Sequence, residues 1–314
     1  MKHIPSTFTA FDILGDIHGH ANDLKELLNA LGYQKIDNVY QHPTRKVIFV
    51  GDYIDRGKNV IEVLEIVKAM VDHGQAIALM GNHEYNAICY NTKDKDGQYY
   101  RVHNNVHTGQ HRITLEAFKG QMDLYNEYIK WFETLPLFYE TPYLRVVHAC
   151  WDNEHIMYLK KRLTNNCISL SLLEEANKEG TLLNHAVEDT LKGKESELPY
   201  GLNFSDKDGN VRTSIRIKWW TKPTNATYKS ISVLNIPGLP DTIIEEAHLQ
   251  KFYEEKQLPV FFGHYWLPYT TNDLPKILSQ NVCCLDYSVA KQGKLVCYRF
   301  NGEQELTSKH LFYI

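Results

Sequence analysis

The sequence of 314 residues contains no uninterrupted apolar run approaching the about 18 residues that a membrane-spanning helix requires. Its opening stretch, Met1–Ala10, lacks the apolar core of roughly 7–15 residues that marks a secretory leader. The six cysteines (Cys89, Cys150, Cys167, Cys283, Cys284 and Cys297) include no C-x-x-C spacing. That argues against a zinc ribbon and against a small disulfide framework, and points to free buried thiols in a reducing cytoplasm. An excess of one charge is missing as well: 34 Lys and Arg against 38 Asp and Glu leave a net −4. No overall basic footprint for long nucleic acid or an anionic membrane follows from that balance. There is no internal repeat and no low-complexity tract. With 43% apolar and 23% charged residues the chain is also neither disordered nor coiled-coil in composition. Its length fits one large domain with insertions or two smaller ones. Fifteen histidines are the unusual component. They could supply metal ligands or proton shuttles, or lie scattered on the surface.

What is present is an alternation of short apolar runs and helical periodicities. Phe11–Leu14 ends at Gly15-Asp16, and Ala21–Leu31 then aligns Leu24, Leu27, Leu28 and Leu31 on one helical face. Lys46–Val50 ends at Gly51-Asp52, followed by helical spacing over Asn59–Val71, and Ala76–Met80 ends at Gly81-Asn82. Strand, glycine and polar residue thus recur with connections of crossover length, the pattern of a layered α/β fold with buried strands. Further on, Leu115–Leu135 reads as one helix, Tyr143–Val147 as a strand ending at His148, and residues 155–200 as a polar, helix-leaning insertion. Leu202–Phe204 and Val211–Trp220 flank Asp206-Lys-Asp-Gly209 as a hairpin. Pro259–Phe262 ends at Gly263-His264, and Val282–Tyr287, Lys294–Phe300 and His310–Tyr313 read as closing antiparallel strands.

Five apolar strands ending in Asp16, Asp52, Asn82, His148 and His264 would gather oxygen and nitrogen donors at one end of a sheet, where α/β proteins bind ligands. If the chain stays extended after Gly15, Asp16 and His18 point to the same side and can grip one ion. Asp52 has two carboxylate oxygens and can bridge two. This mixed set suits two adjacent divalent transition ions (manganese, iron, cobalt, nickel or zinc) better than calcium. Any one of these Asp or Asn residues alone would more often be a turn or helix-cap residue. Five strand ends together reverse that reading.

The blocks Gly15-Asp-Ile-His-Gly19, Gly51-Asp-Tyr-Ile-Asp-Arg-Gly57 and Gly81-Asn-His-Glu84, followed by His148 and His264, resemble the signature of calcineurin-like metallophosphoesterases. Within that family the chain is most similar to the phosphoprotein-phosphatase-type branch, notably bacterial diadenosine tetraphosphate hydrolases and related bacterial Ser/Thr phosphatases. The resemblance implies a four-layer β-sandwich flanked by helices, with helical and hairpin cap insertions at 86–142 and 153–230 of a single domain spanning 1–314. It implies a first metal held by Asp16, His18 and Asp52, and a second held by Asp52, Asn82, His148 and His264, with manganese favoured. Two such ions can share a water, lower its pKa and orient it as hydroxide for in-line attack on phosphorus. Arg56 would bind two phosphate oxygens, and His83, oriented by Asp55, would protonate the leaving oxygen. Arg216 is the candidate for a second phosphate clamp, Glu84 for a supporting role, and Tyr287 resembles a tyrosine near the metals. Where relatives commonly show His-Ala-Gly, this chain has His148-Ala-Cys150.

Competing readings exist for the single residues. Arg56 could be a surface salt-bridge partner, and Arg216 could pack against Trp219 or Trp220. His103, His107 and His111 read as ordinary surface residues. Asp94-Lys-Asp-Gly97 and Asp206-Lys-Asp-Gly209 hint at calcium loops, but the glutamate required at loop position twelve is Asn105 or Ile217. Both are turns. The aromatic stripe of Leu115–Leu135 reads as core or as a cap over the site. The expected function is hydrolysis of phosphoproteins or small phosphomonoesters without a phosphoenzyme. Symmetrical cleavage of diadenosine tetraphosphate is the alternative, and a catalytically silent phosphate-binding regulator the remote one. The expected partner is therefore a phosphorylated substrate, not a membrane or a large nucleic acid.

Overall fold

The structure, a computed structural model, describes residues 10–205, 211–221, 225–245 and 251–314. The stretch before Ala10 and the Asp206–Gly209 turn lie outside these residues.

The three Gly-terminated apolar runs become the parallel strands Ala10–Leu14, Arg45–Phe49 and Ala76–Ala78, in that spatial order. Lys294–Phe300 pairs antiparallel with the first, and Asp286–Tyr287 and Leu311–Tyr313 pair with it in turn, completing a six-stranded sheet. A second sheet of four strands runs Val282–Cys284, Val260–Phe262, Arg145–Val147 and Phe138–Glu140. Strand side chains alternate between faces. One set (Ile13, Ile48, Val146, Phe261, Cys283 and Tyr298) forms a buried core contributed by both sheets. The other set (Leu14, Val47, Phe49, Val147, Phe262 and Cys284) packs with helix residues. The helices Ala21–Ala30 and Val60–Asp72 supply Leu24, Leu28, Val63 and Val67, all fully buried. The helices Asn153–Arg162 and Leu182–Lys192 supply Leu159, Leu183 and Val187. Helix, sheet, sheet and helix therefore form the expected four-layer sandwich.

Several expectations need correction. Leu115–Leu135 is not one helix but two, Asn105–Ala117 and Met122–Phe132, broken at Gly120, which adopts φ of 82°. The first starts ten residues early because Asn104 caps it, accepting from the His107 amide at 2.8 Å. Val282–Tyr287 does not close the fold as one antiparallel strand. Val282–Cys284 runs parallel to Val260–Phe262, and the chain then crosses to the other sheet, where Asp286–Tyr287 pairs antiparallel with Lys294 and Leu295. The hairpin arms are shorter than expected, with Phe204–Ser205 against Val211–Arg212, while Ser214–Arg216 pairs instead with Glu195–Glu197. The Asp94–Gly97 turn forms as expected, with Oδ1 of Asp94 accepting from the Asp96 and Gln98 amides at 2.9 Å.

All six cysteines are free, and only Cys167 is not buried. Cys150, at the position where the resemblance would place glycine, does not enter the left-handed backbone region and is buried. Among the described residues no helix is long and apolar enough to cross a membrane. Asp12, inside an otherwise apolar strand, is fully buried and is held by the Nε atoms of Arg45 and Arg299, each at 3.0 Å.

Candidate active site

The loops after the parallel strands gather at one edge of the sandwich. The first does not stay extended: His18 turns into the left-handed region at φ 47°, so a turn and not strand alternation sets the direction of its ring. The second loop is more contorted. Asp52, Asp55 and Arg56 all have positive φ (56°, 67° and 60°), a conformation that costs a side-chain-bearing residue energy unless its surroundings hold it. Glu84 provides the hold. It is completely buried, and its carboxylate accepts from the backbone amides of Gly81 at 3.0 Å, Asp52 at 2.9 Å and Tyr53 at 2.8 Å. Gly81 permits this approach, because a Cβ there would lie 2.2 Å from Oδ1 of Asp52.

Around Asp52 the side chains converge. Its Oδ2 lies 3.5 Å from Nε2 of His18 and 3.9 Å from Nε2 of His83, and its Oδ1 lies 3.5 Å from Nε2 of His148. Two groups of possible ligand atoms, each within 4.8 Å of one another, result: His18, Asp52 and His83, and Asp52, His148 and His264. Asn82 joins the second, with Oδ1 at 3.0 Å from Nε2 of His148 and 2.8 Å from Nδ1 of His264. Asp16 belongs to neither group. Its carboxylate accepts from the His264 amide at 3.0 Å and neighbours Asp286, a buried carboxylate that the sequence reading passed over.

The donor chemistry fits cations. Nδ1 of His18 faces the Ile54 carbonyl at 2.9 Å and Nδ1 of His148 faces the Val50 carbonyl at 2.9 Å. A carbonyl only accepts, so each Nδ1 carries the proton and each Nε2 presents a lone pair. Nε2 of His18 is buried without any hydrogen-bond partner, and Nε2 of His148 faces another acceptor, Asn82 Oδ1. Burial pulls His18 down to about 4 and lowers His148 and His264, which keeps all three neutral, as metal ligation requires. The arrangement suits divalent ions held by nitrogen and oxygen.

His83 differs from these three. Its Nδ1 lies 2.5 Å from Oδ2 of Asp55. Burial opposes a charge on the ring, but Asp52 and Asp55 outweigh it and push His83 up to about 9. Burial likewise opposes ionised Asp55, yet the bonds from His111 and His83 hold its carboxyl well below the usual range. His111 corrects the sequence reading: it is buried, and its Nδ1 lies 2.9 Å from Oδ1 of Asp55. Thr114 donates to the same oxygen at 2.6 Å, and Nε2 of His111 meets the Tyr125 hydroxyl at 2.8 Å. His103 is exposed and stacks between Tyr90 and Tyr99, whereas His107 lines the cleft beside His83.

Arg56 is exposed at the rim, its guanidinium 5.4 Å from the ring of Trp266, which Lys291 also approaches at 4.4 Å. Arg216 reaches the site and does not merely pack on Trp219 or Trp220: its Nη1 donates to Nε2 of His264 at 3.0 Å. Tyr287 is spent elsewhere, its hydroxyl bonded to the backbone N–H and carbonyl of Lys276 at 2.9 and 3.1 Å.

One relative, the bis(5'-nucleosyl)-tetraphosphatase PrpE [asymmetrical] of Halalkalibacterium halodurans, is 29% identical over 54% of this chain and 69% of its own length. The enzyme of the same name from Oceanobacillus iheyensis is 31% identical over 50% of this chain and 62% of its own. Among solved structures, a putative diadenosine tetraphosphatase is similar at TM-score 0.46 and 14% identity, over 99% of this chain and 95% of its own. A protein serine/threonine phosphatase from Saccharomyces cerevisiae gives 0.46 and 14%, over 98% and 80%. The sequence model of the calcineurin-like phosphoesterases matches residues 9–264, and the chain belongs to that family of metal-dependent phosphoester hydrolases.

Proposed function

We propose that this chain is a two-metal hydrolase that cleaves phosphoanhydride bonds of dinucleoside polyphosphates in one displacement at phosphorus. The observation that carries the two-metal reading is the convergence on Asp52 of His18, His83 and His148, with Nε2 of His18 buried and unpartnered. Asp16, His18 and Asp52 would hold one ion, and Asp52, Asn82, His148 and His264 the other. Bound there, two divalent ions supply an activated water and neutralise charge on the phosphoryl oxygens.

The remaining work falls to the chain's own side chains. His83 keeps Nδ1–H on Asp55, so Nε2 is the atom that gives a proton to the leaving oxygen. Arg56, at the rim, offers a planar fork to the phosphoryl oxygens. Arg216, bonded to His264, is a second guanidinium available to the same group. Residues of 86–142 act as a cap, since Arg101, His107 and His111 line the cleft that His83 faces. The names of the matched relatives support the dinucleotide class. They also favour asymmetrical cleavage over the symmetrical cleavage expected from sequence.

The test is a comparison of manganese-loaded enzyme on diadenosine tetraphosphate, a phosphopeptide and a small aryl phosphate, with product analysis. Preference for the dinucleotide, with ATP and AMP as products, supports the reading. Preference for the phosphopeptide would replace it with a protein phosphatase, and two ADP per turnover would restore symmetrical cleavage. Full activity of Asp52→Asn would remove the two-metal mechanism altogether.

A further inference from the structure

Arg101 follows no motif, yet it lines the same cleft of about 130 Å³ as Arg56, Asn82 and His83. Its guanidinium is half-buried and its side-chain bonds go to neutral oxygens: Nη1 to Oδ1 of Asn86 at 3.1 Å and Nη2 to Oε1 of Gln110 at 2.6 Å. The other well-covered arginines of the fold are treated differently. Arg45 and Arg299 share Asp12, and Arg145 pairs with Glu140 at 2.8 Å. Among the described residues no carboxylate lies within ion-pair distance of Arg101. Burying a guanidinium without a counter-charge is costly, and burial indeed lowers its pKa. The acidic lining residue is Asp55, whose oxygens are already taken by His83, His111 and Thr114. The cleft therefore carries the charges of Arg56 and Arg101 against a single lining carboxylate that is already engaged, and Asp55 and Glu188 act on Arg101 only from beyond ion-pair distance.

The position of that charge is informative. His83 protonates the leaving oxygen, so the cleft it faces receives the leaving group and not the phosphoryl group being attacked. A leaving group that is an alcohol, a serine or a phenol has no use for a desolvated guanidinium there. One that is itself a phosphate does. We infer that Arg101 forms a subsite for the phosphate adjacent to the scissile one, with Arg56 left to the scissile phosphoryl group, so that the preferred leaving group is a nucleoside phosphate or polyphosphate. Asn86 and Gln110 aim the guanidinium from the flanking helices Asn82–Asn91 and Asn105–Ala117 and can release it to the ligand without leaving a bare carboxylate.

This inference rests on the two-metal reading above, and the experiment separates the two. Binding of inorganic tripolyphosphate and of orthophosphate to manganese-loaded enzyme is measured by calorimetry for wild type, Arg101→Gln and Gln110→Glu. The last variant leaves the arginine in place and gives it a carboxylate partner, so it tests charge even where Arg101→Gln folds poorly. Wild type should bind tripolyphosphate at least about tenfold tighter than orthophosphate, and both variants should lose most of that gap, the size expected for a charge-assisted bond. On substrates, kcat/KM for diadenosine tetraphosphate should fall about 10- to 100-fold further than for an aryl phosphate, mainly through KM. Equal losses on both substrates would make Arg101 a structural tie between helices and overturn the subsite, as would an unchanged tripolyphosphate gap. A wild-type enzyme that turns over no phosphate compound, yet shows the tripolyphosphate gap, would sink the catalytic reading and keep the subsite.

Discussion

His83 and His111 bond opposite oxygens of Asp55, at 2.5 and 2.9 Å, so one carboxylate is clamped between two imidazoles from different helices. Asp55 also sits at positive φ, and Thr114 both accepts from its amide at 3.0 Å and donates to its Oδ1 at 2.6 Å. The carboxylate can therefore neither rotate nor protonate easily, and it fixes the proton of His83 on Nδ1. His111 is in turn fixed from behind by Tyr125, whose hydroxyl accepts from Asn91 at 2.6 Å and donates to Nε2 of His111.

The clamp should be visible in stability and in rate. His111→Ala removes a bond to an ionised group and leaves the Tyr125 O–H without its acceptor. It should cost about 1.5–3 kcal/mol in denaturant unfolding. It should also lower kcat more than KM, because what it loosens is the aim of His83. Unchanged stability together with unchanged kcat would mean that the relay is idle.

The role of His83 itself is best read through the leaving group. His83→Asn should lower kcat by roughly 10²–10⁴ on substrates whose leaving oxygen needs a proton. The loss should shrink steeply with nitrophenyl phosphate, whose leaving group departs as the anion. A loss independent of leaving-group acidity would assign His83 to metal or phosphate binding instead, a possibility its grouping with His18 and Asp52 makes concrete.

Glu84 makes a sharper structural prediction. Three buried amides, those of Gly81, Asp52 and Tyr53, depend on its carboxylate. Each orphaned donor costs about 1–3 kcal/mol, so Glu84→Ala should destabilise the protein by at least about 3 kcal/mol. Because the amide of Asp52 is one of the three, manganese affinity measured by calorimetry should fall with it. A stable Glu84→Ala protein with wild-type metal affinity would show that the strained loop is held by something else.

How much of this was legible in the sequence follows from where each residue gets its constraint. Asp16, Asp52, Asn82 and His264 each follow an apolar run and a glycine, and His148 follows its strand directly, so the local pattern announces both the strand and the polar side chain at its end. His111 gets its constraint from a helix start at Asn104 that propensity alone does not make obvious. Once the helix begins there, His111, Thr114 and Phe118 fall on one face. Asp286 and Arg101 are positioned by contacts between segments far apart in the chain, Asp286 with Trp266 and Asp16, and Arg101 with two separate helices. No local pattern marks them. For His18 the local pattern suggests the wrong route, since a turn and not an extended strand aims it.

Chelation should destabilise the protein measurably. Ions at a hundredfold excess over Kd add about 2.7 kcal/mol per site by mass action, provided the unfolded chain does not compete. The unpartnered Nε2 of His18 and the acceptor-to-acceptor contact of His148 with Asn82 are the places where that energy is gained. Asp52→Asn should therefore lose most of the rise in Tm that manganese gives the wild type. An identical Tm with chelator and with manganese would argue against a metal centre here.

The pH dependence of stability is most cleanly read away from the metals, at His155. Its Nδ1 lies 3.1 Å from Oδ2 of Asp189, joining the helices Asn153–Arg162 and Leu182–Lys192. The Asp189 carboxylate beside it raises the pKa of His155 above its ordinary 6.5 against burial, with Asp152 adding to the rise and Lys194 opposing it. A group raised on folding binds its proton more tightly in the folded state. Its contribution is then complete below the ordinary histidine range and disappears as pH climbs through the raised value. Because both side chains are about one-fifth exposed, the contribution is at most about 1 kcal/mol. The difference in stability between wild type and His155→Gln, taken from denaturant melts with chelator present, should be largest at pH 5.5 and fade as pH climbs through the raised value. A difference that instead grew with pH would mean that His155 is held neutral, and that the helices are joined by packing and not by charge.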